Sequence, residues 1–310
     1  MQTVCWILGR GGLLGRSLTR AVADAGMTEY VPSVPFRWQE ADFCREQLSA
    51  SVKQFALASA GKRWQILWAA GTGTMGSTEA DLAKETATLS ALIDLIGNDT
   101  SLTSHPGTVI YASSAGAIYG GCRDDVITEA SLPHPENAYG RTKLAEEGLL
   151  KEFVGRHPQM ALLLARITNL YGPAQSHAKR QGLISHIARS ILKRSPINIF
   201  VPFDTIRDYI PADDAAAIIV QSAEILQPAD ILTKIVASGE PTTIARIIGT
   251  FTTITRIPPR VITSASRLSA SYPHRMCFRS VVGPAAQKKT PLLIGVSAVL
   301  AAERRALMHG

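Results

Sequence analysis

The feature that most restricts this chain is a glycine cluster standing directly behind a short apolar run. Val4-Cys5-Trp6-Ile7-Leu8 is followed by Gly9-Arg10-Gly11-Gly12-Leu13-Leu14-Gly15. An unbroken apolar run of that length reads as a strand buried on both faces. Leu13 to Ala25 then repeats apolar residues every three or four positions, the pattern of a helix. The cluster is therefore a strand-to-helix turn. Glycines let such a turn close tightly and bring backbone N–H groups near a bound anion, while the following helix presents its positive end. A parallel sheet whose first turn binds a phosphate group is what this start predicts.

The alternation continues for most of the chain. Further apolar runs predict strands at Glu29 to Val34, Gln65 to Ala69, Thr108 to Ala112 and Ala161 to Arg166. Helical patterns cover Ala80 to Ile96 and Tyr139 to Arg156. Strands alternating with helices give the α/β class, here a Rossmann-type doubly wound parallel sheet. Beyond Pro173 the rhythm breaks, and Pro196, Pro202, Pro211, Pro258, Pro259 and Pro273 punctuate shorter elements. Residues 1–172 are expected to form the main domain, rejoined by 211–226, where Asp213 to Gln221 reads as a helix. Residues 173–210 and 227–310 are expected to form a smaller C-terminal substrate-binding lobe.

Composition excludes several classes. With 46% hydrophobic and 18% charged residues the chain carries enough apolar surface to offset its ordering entropy, so it is globular. The net charge of +7 comes from dispersed lysines and arginines, without the compact basic stripe that a nucleic-acid surface needs. An anionic small molecule suits that charge better. No apolar run is long enough to span a bilayer, and the N-terminal run is too short for a secretion signal, so a cytoplasmic location is expected. Cys5, Cys44, Cys122 and Cys277 are scattered and read as reduced thiols. His134, His157, His177 and His186 lack ligand spacing, and no metal is expected.

Chemistry enters at Tyr139-Gly140-Arg141-Thr142-Lys143, which places a phenol and an ammonium on one face at the start of a helix. A tyrosine is a poor base at neutral pH, and a nearby cation lowers its pKa towards the working range. Tyr139 could then take a hydroxyl proton as hydride leaves the same carbon. Four further segments stand in order around this pair: the glycine loop, Trp68-Ala69-Ala70-Gly71, Ser113-Ser114-Ala115-Gly116-Ala117-Ile118-Tyr119-Gly120, and Arg166-Ile167-Thr168-Asn169-Leu170-Tyr171-Gly172-Pro173.

Together these segments resemble the extended short-chain dehydrogenase/reductase family, the nucleotide-sugar epimerases and dehydratases, over roughly the first two-thirds of the chain. The resemblance implies NAD or NADP as cofactor. It would be held by Gly9, Arg10, Gly11, Gly12, Leu13, Leu14 and Gly15, by Ala69, Ala70 and Gly71 at the fourth strand, by Ala112 and Ile167 at the fifth and sixth, and by Tyr139 and Lys143. No acid closes the second strand to accept ribose hydroxyls, and Arg10 and Arg37 could pair with a 2′-phosphate, so NADP is favoured.

Tyr139, Lys143 and Ser114 are the implied catalytic residues, and Ser114, Asn169 and Arg207 the implied substrate contacts. Arg207 belongs to Arg207-Asp208-Tyr209-Ile210, which with Asp213-Asp214 resembles a late family segment that contacts the substrate diphosphate. The chain also departs from the family. Ala115 occupies the usual Ser/Thr place, which is why Ser114 is assigned the hydroxyl role. Gly116 and Ala117 stand where sugar 4,6-dehydratases carry an Asp-Glu pair, so dehydratase chemistry is disfavoured. The usual acidic segment after a third strand is missing between Trp38 and Ala60. The expected activity is epimerisation or reduction of a nucleotide-linked sugar, in a chain that pairs into a homodimer through the helix of Tyr139. A reductase of a non-sugar carbonyl compound and a catalytically weak NADP-binding sensor or assembly protein are the alternatives.

Overall fold

In the computed structural model residues 2–173, 182–263, 273–284 and 289–308 are described. The chain begins with β1 (Thr3–Leu8), α1 (Leu13–Asp24), β2 (Thr28–Tyr30), α2 (Ala41–Ala58), β3 (Arg63–Trp68), α3 (Glu79–Gly97), α4 (Thr100–Thr103), β4 (Gly107–Ser114), α5 (Ala115–Ile118), α6 (Ala138–Gly155) and β5 (Met160–Ile167). It leaves the sheet for β6 (Asn169–Tyr171), α7 (Leu183–Leu192), β7 (Ile197–Ile199) and β8 (Ile206–Pro211), then returns through α8 (Ala212–Glu224) and β9 (Ile231–Val236). The remainder is β10 (Pro241–Thr243), α9 (Ile244–Thr255), β11 (Val261–Thr263) and α10 (Leu292–Met308).

The central sheet has six parallel strands in the order β2-β1-β3-β4-β5-β9. Its inner strands, β1, β3, β4 and β5, are buried because both faces are covered. On one side Leu48, Val52 and Phe55 of α2, Leu92 and Ile96 of α3, and Leu150 and Phe153 of α6 pack on Trp6, Trp64, Val109 and Leu162. On the other, Leu14, Leu18 and Val22 of α1 and Ile219 of α8 pack on Ile7, Leu67, Ile110 and Leu163. The four-residue steps in α1 place those three side chains on one face. After β1 the chain moves outward to β2 and then returns to the other side of β1 as β3. That reversal opens a crevice at the carboxyl ends of β1 and β3, the place where doubly wound sheets bind ligands.

Three expectations are corrected here. The second strand, expected over Glu29 to Val34, is only Thr28–Tyr30, because Pro32 and Pro35 end its ladder. Among the described residues no strand lies between β2 and β3, since α2 occupies that stretch. The segments at Trp68, Ser113 and Arg166 therefore close the third, fourth and fifth strands, not the fourth, fifth and sixth, and the missing acidic segment has no strand to follow. The main sheet also extends beyond residue 226, because β9 pairs with β5 from Leu162↔Ile231 to Ile167↔Val236. A second core, built from Ile184, Ile187, Ile247, Phe251, Val296 and Val299, joins α7, α9 and α10. Beside it β6, β8 and β10 form a small sheet.

Candidate active site

The glycine loop closes over the switch-point crevice. Gly9 has φ +87°, and a Cβ on it would meet the Ala69 carbonyl oxygen at 2.4 Å. Gly15 has a Cβ position 2.2 Å from the Gly9 oxygen, so a larger residue there would push α1 off the loop. The Ala69 amide donates to the Leu8 carbonyl at 2.9 Å, locking the ends of β3 and β1 together. Gly12 is the N-cap of α1 and supplies no side-chain cap, and the first turn holds no acid. The helix thus presents its positive end to the crevice. Gly9, Gly11, Gly12, Leu13, Leu14, Ala69, Ala70 and Gly71 line a cleft of about 1330 Å³ that continues to Asn169. That exceeds the roughly 300–1000 Å³ of an ordinary small-molecule pocket.

Trp38 also lines the cleft, 41% exposed and edge-on to Trp68 at 6.4 Å. Phe36 stacks on buried Trp6 and thereby fixes the extended stretch that carries Trp38. Arg10 pairs with Glu29 of β2 at 3.0 Å. Arg37 pairs with Glu40 at 3.5 Å and lies over the Phe43 ring. Both arginines expected near a 2′-phosphate therefore already have acid partners: Glu40 is exposed, and its pair is of the kind that contributes about 0–1 kcal/mol, whereas the Glu29 side chain is only 15% exposed.

Tyr139 sits in the first turn of α6, where the Asn137 side chain caps the Gly140 amide at 2.8 Å. Lys143 Nζ lies 5.6 Å from the Tyr139 ring centroid. Burial raises the Tyr139 pKa above its ordinary value, Lys143 lowers it, Glu85 and Glu146 raise it, and the hydroxyl of Ser114 acts to lower it. The ammonium thus has the expected sign, but burial outweighs it. Ser114 ends β4 and caps α5, while Ala115 is fully buried and offers no hydroxyl to the site. Glu85 of α3 accepts from the amides of Thr72 and Gly73 and so holds the loop after β3 against Tyr139. A Cβ on Gly73 would lie 3.3 Å from the Tyr139 ring.

Beneath Tyr139 lies a cluster that motif reading missed. Lys143 Nζ donates to Glu146 Oε2 and to the Tyr111 hydroxyl, each at 2.9 Å. The Tyr111 hydroxyl donates in turn to Glu146 Oε2. Thr86 of α3 donates to the other Glu146 oxygen at 2.8 Å. The next residue, Glu147, receives Arg166 through Nε at 3.0 Å and Nη2 at 2.6 Å, together with the Ser113 hydroxyl. Arg166 also donates to Tyr119. The available signal was the adjacent pair of acids three and four residues after Lys143 in a helix that packs on the sheet.

Ala112 and Ile167 lie in the carboxyl halves of β4 and β5, with Ser114 paired opposite Ile167. Asn169 lines the cleft, and its amide donates to the Asp208 carbonyl at 2.8 Å. Arg207 lies on β8 outside the residues lining that cleft, and its Nη1 donates to the Ile206 carbonyl. Its neighbour Asp208 is fully buried and accepts from Thr168, Ser238 and Gly239, joining β8 to the end of β9. His177 lies outside the described residues. Among the described residues no group of three or more His, Cys, Asp or Glu could hold a metal, and no helix is long and apolar enough to cross a membrane.

A doubly wound sheet with a glycine-lined switch point and a Tyr-Lys pair defines a dinucleotide-binding class of protein. Residues 5–231 match the NAD dependent epimerase/dehydratase family, and the chain belongs to that family. A dTDP-4-dehydro-6-deoxyglucose reductase of Escherichia coli is 32% identical over 142 residues, 46% of this chain and 44% of that protein. A dTDP-L-rhamnose 4-epimerase of Burkholderia thailandensis is 31% identical over 120 residues, 37% of this chain and 32% of that protein. The matches therefore span less than half of either relative. The solved UDP-glucose 4-epimerase from Brucella ovis in complex with NAD shares the fold, with a TM-score of 0.80, 20% identity, and coverage of 97% of this chain and 98% of that one.

Proposed function

We propose that the chain is an NAD(P)-dependent epimerase or reductase of a nucleotide-linked sugar. One arrangement carries the reading: Tyr139 has Ser114 and Lys143 as neighbours at the carboxyl end of the sheet, and Glu85, which also acts on it, lines the cleft together with the glycine loop. The relatives named above, reductase and epimerases of nucleotide-linked sugars, favour the same substrate class. The loop fits a dinucleotide, because Gly9 and Gly15 leave no room for side chains and the start of α1 faces the cleft without an acid. Residues 11–14 would hold the pyrophosphate, Ala69 to Gly71 would flank the cofactor, and Trp38 would offer its ring to the adenine. Arg10 and Arg37 would exchange their acid partners for a 2′-phosphate, which favours NADP.

When bound, the nicotinamide supplies or removes hydride at the sugar carbon. The chain's own residues manage the proton and the geometry. Ser114 holds the sugar oxygen, Tyr139 takes its proton during oxidation and returns it during reduction, and Lys143 favours the phenolate. Asn169 would face the sugar side of the cleft, and Arg207 would approach the diphosphate. Gly116 and Ala117 carry no proton-moving group, so the site is not suited to eliminating water. Titration of the chain with NADP and NAD, followed by tryptophan fluorescence from Trp38 and Trp68, tests the cofactor half of this reading. Saturable quenching, tighter for NADP and lost in Gly15→Ala, is expected. A calorimetric and fluorescence blank with both nucleotides would end it.

A further inference from the structure

The side chains that surround Lys143 do more than fill space. An ammonium carries three donors. Two of them are committed inside the protein, one to Glu146 Oε2 and one to the Tyr111 hydroxyl, which leaves one for the side facing Tyr139. The side chains of Lys143 and Glu146 are only 7% and 2% exposed, so water does not compete for these bonds. Glu146 is itself fixed from two elements, by Thr86 on α3 and Tyr111 on β4. Lys143 also lies over the Tyr111 ring, 5.1 Å from its centroid. The ammonium is thus held by a carboxylate and a phenol, 5.6 Å from the Tyr139 ring centroid.

We propose that Glu146 and Tyr111 form a clamp on Lys143, placing its ammonium under Tyr139 and offsetting part of its charge, and so setting how strongly it draws a proton off Tyr139. Glu146 is a positioning residue in this scheme, since it acts through Lys143. The inference rests on the reading of Tyr139 as the residue that moves the proton. The groups facing Tyr139 are Glu85 on α3, Tyr111 and Ser114 on β4, and Lys143 and Glu146 on α6. Glu147 also acts on Tyr111, but its carboxylate is occupied by Arg166 of β5. Among these groups only Glu146 bonds Lys143 directly and also raises the Tyr139 pKa. The clamp closes on an unbroken ring of donors and acceptors: Lys143 donates to Tyr111, Tyr111 to Glu146, and Lys143 to Glu146.

Two near-isosteric variants separate positioning from simple packing. Glu146→Gln keeps an oxygen to accept from Lys143 but removes the negative charge, so the ammonium acts undiminished on Tyr139. Tyr111→Phe keeps the ring and the charge of Glu146 but removes the hydroxyl that shares that charge, so the carboxylate draws wholly on Lys143. The phenolate absorbance of the full chain is read at one alkaline pH at which all variants keep the parent's circular dichroism, and Tyr139 is isolated by subtracting a Tyr139→Phe partner in each background. Glu146→Gln should raise the Tyr139 phenolate population roughly tenfold, the size of a one-unit change in pKa, and Tyr111→Phe should lower it. Equal populations in folded variants, or shifts of the same sign, would overturn the clamp. If Glu146→Gln does not fold, the fall in Tyr111→Phe is still required, and its absence is fatal. The readout needs no substrate. A Tyr139→Phe chain that still turned over a sugar would overturn the catalytic reading while leaving this titration intact.

Discussion

Two adjacent acids on α6 make two different kinds of site. Glu147 takes both Nε and Nη2 of Arg166 plus the Ser113 hydroxyl, and Arg166 spends a further donor on Tyr119. That cluster is closed, its charges paired and buried, and it ties α6 to β4, to β5 and to the end of α5. Glu146 takes one ammonium, one phenol and one threonine, and the ammonium, with one donor uncommitted by these bonds, stands 5.6 Å from the Tyr139 ring centroid. The same ingredients, a carboxylate, a cation and a tyrosine, therefore serve to hold the fold in one place and to arm a reacting group in the other. The difference lies in what the cation stands beside: Lys143 lies 5.6 Å from the Tyr139 ring, whereas Arg166 is engaged by Glu147 and Tyr119 within the fold.

The largest effect that would break this contrast is on stability. Glu147→Ala strands a buried guanidinium and should cost about 3–5 kcal/mol, seen as a lower midpoint in urea denaturation. Glu146→Ala should cost less, because it removes one bond to Lys143 where Glu147→Ala removes two to Arg166. Equal losses would erase the distinction. A smaller test compares the two tyrosines. Tyr119→Phe leaves one Arg166 donor without its acceptor, at about 1–3 kcal/mol, and should leave the phenolate population of Tyr139 unchanged, whereas Tyr111→Phe should alter that population.

The smallest effect is on alkaline stability. Tyr111 is pushed well above its ordinary pKa of 10.0, first by burial and then by Glu146. Tyr119 is raised less, because Arg166 works against its burial. A tyrosine whose folded-state pKa is raised contributes stability that is complete below pH of about 10 and is lost as pH climbs through the folded value. Thermal melts from neutral to alkaline pH should therefore decline less steeply for Tyr111→Phe than for Tyr119→Phe. The reverse order would place the stronger proton retention in the closed cluster.

Much of the architecture was legible because it is local. The run Val4 to Leu8, the glycines behind it and the four-residue steps of α1 each announce themselves within a few positions. Tyr139 and Lys143 share a helix face for the same reason, and the segments at Trp68, Ser113 and Arg166 mark strand ends. What escaped was non-local. The partners of Glu146 and Glu147 come from β4, α3 and β5, and nothing in a helix sequence says which residue of a neighbouring strand will face it. The lost third strand was hidden for a related reason. The stretch after Tyr30 held prolines and a helix whose apolar spacing was weak, and an expectation drawn from similar proteins numbered the later strands one too high. The paired state of Arg10 and Arg37 was invisible too, since nothing in the sequence names Glu29 and Glu40 as their partners.

The most direct test of the central claim is turnover of a panel of nucleotide-linked sugars and their keto derivatives by the purified chain with NADP or NAD, run beside Tyr139→Phe. The account predicts that at least one sugar is epimerised, or one keto sugar reduced with consumption of reduced nicotinamide. It also predicts that Tyr139→Phe slows that reaction by about 10²–10⁴-fold while retaining cofactor binding. Equal rates in the parent and Tyr139→Phe, or cofactor binding with no sugar turned over by the parent, would contradict it.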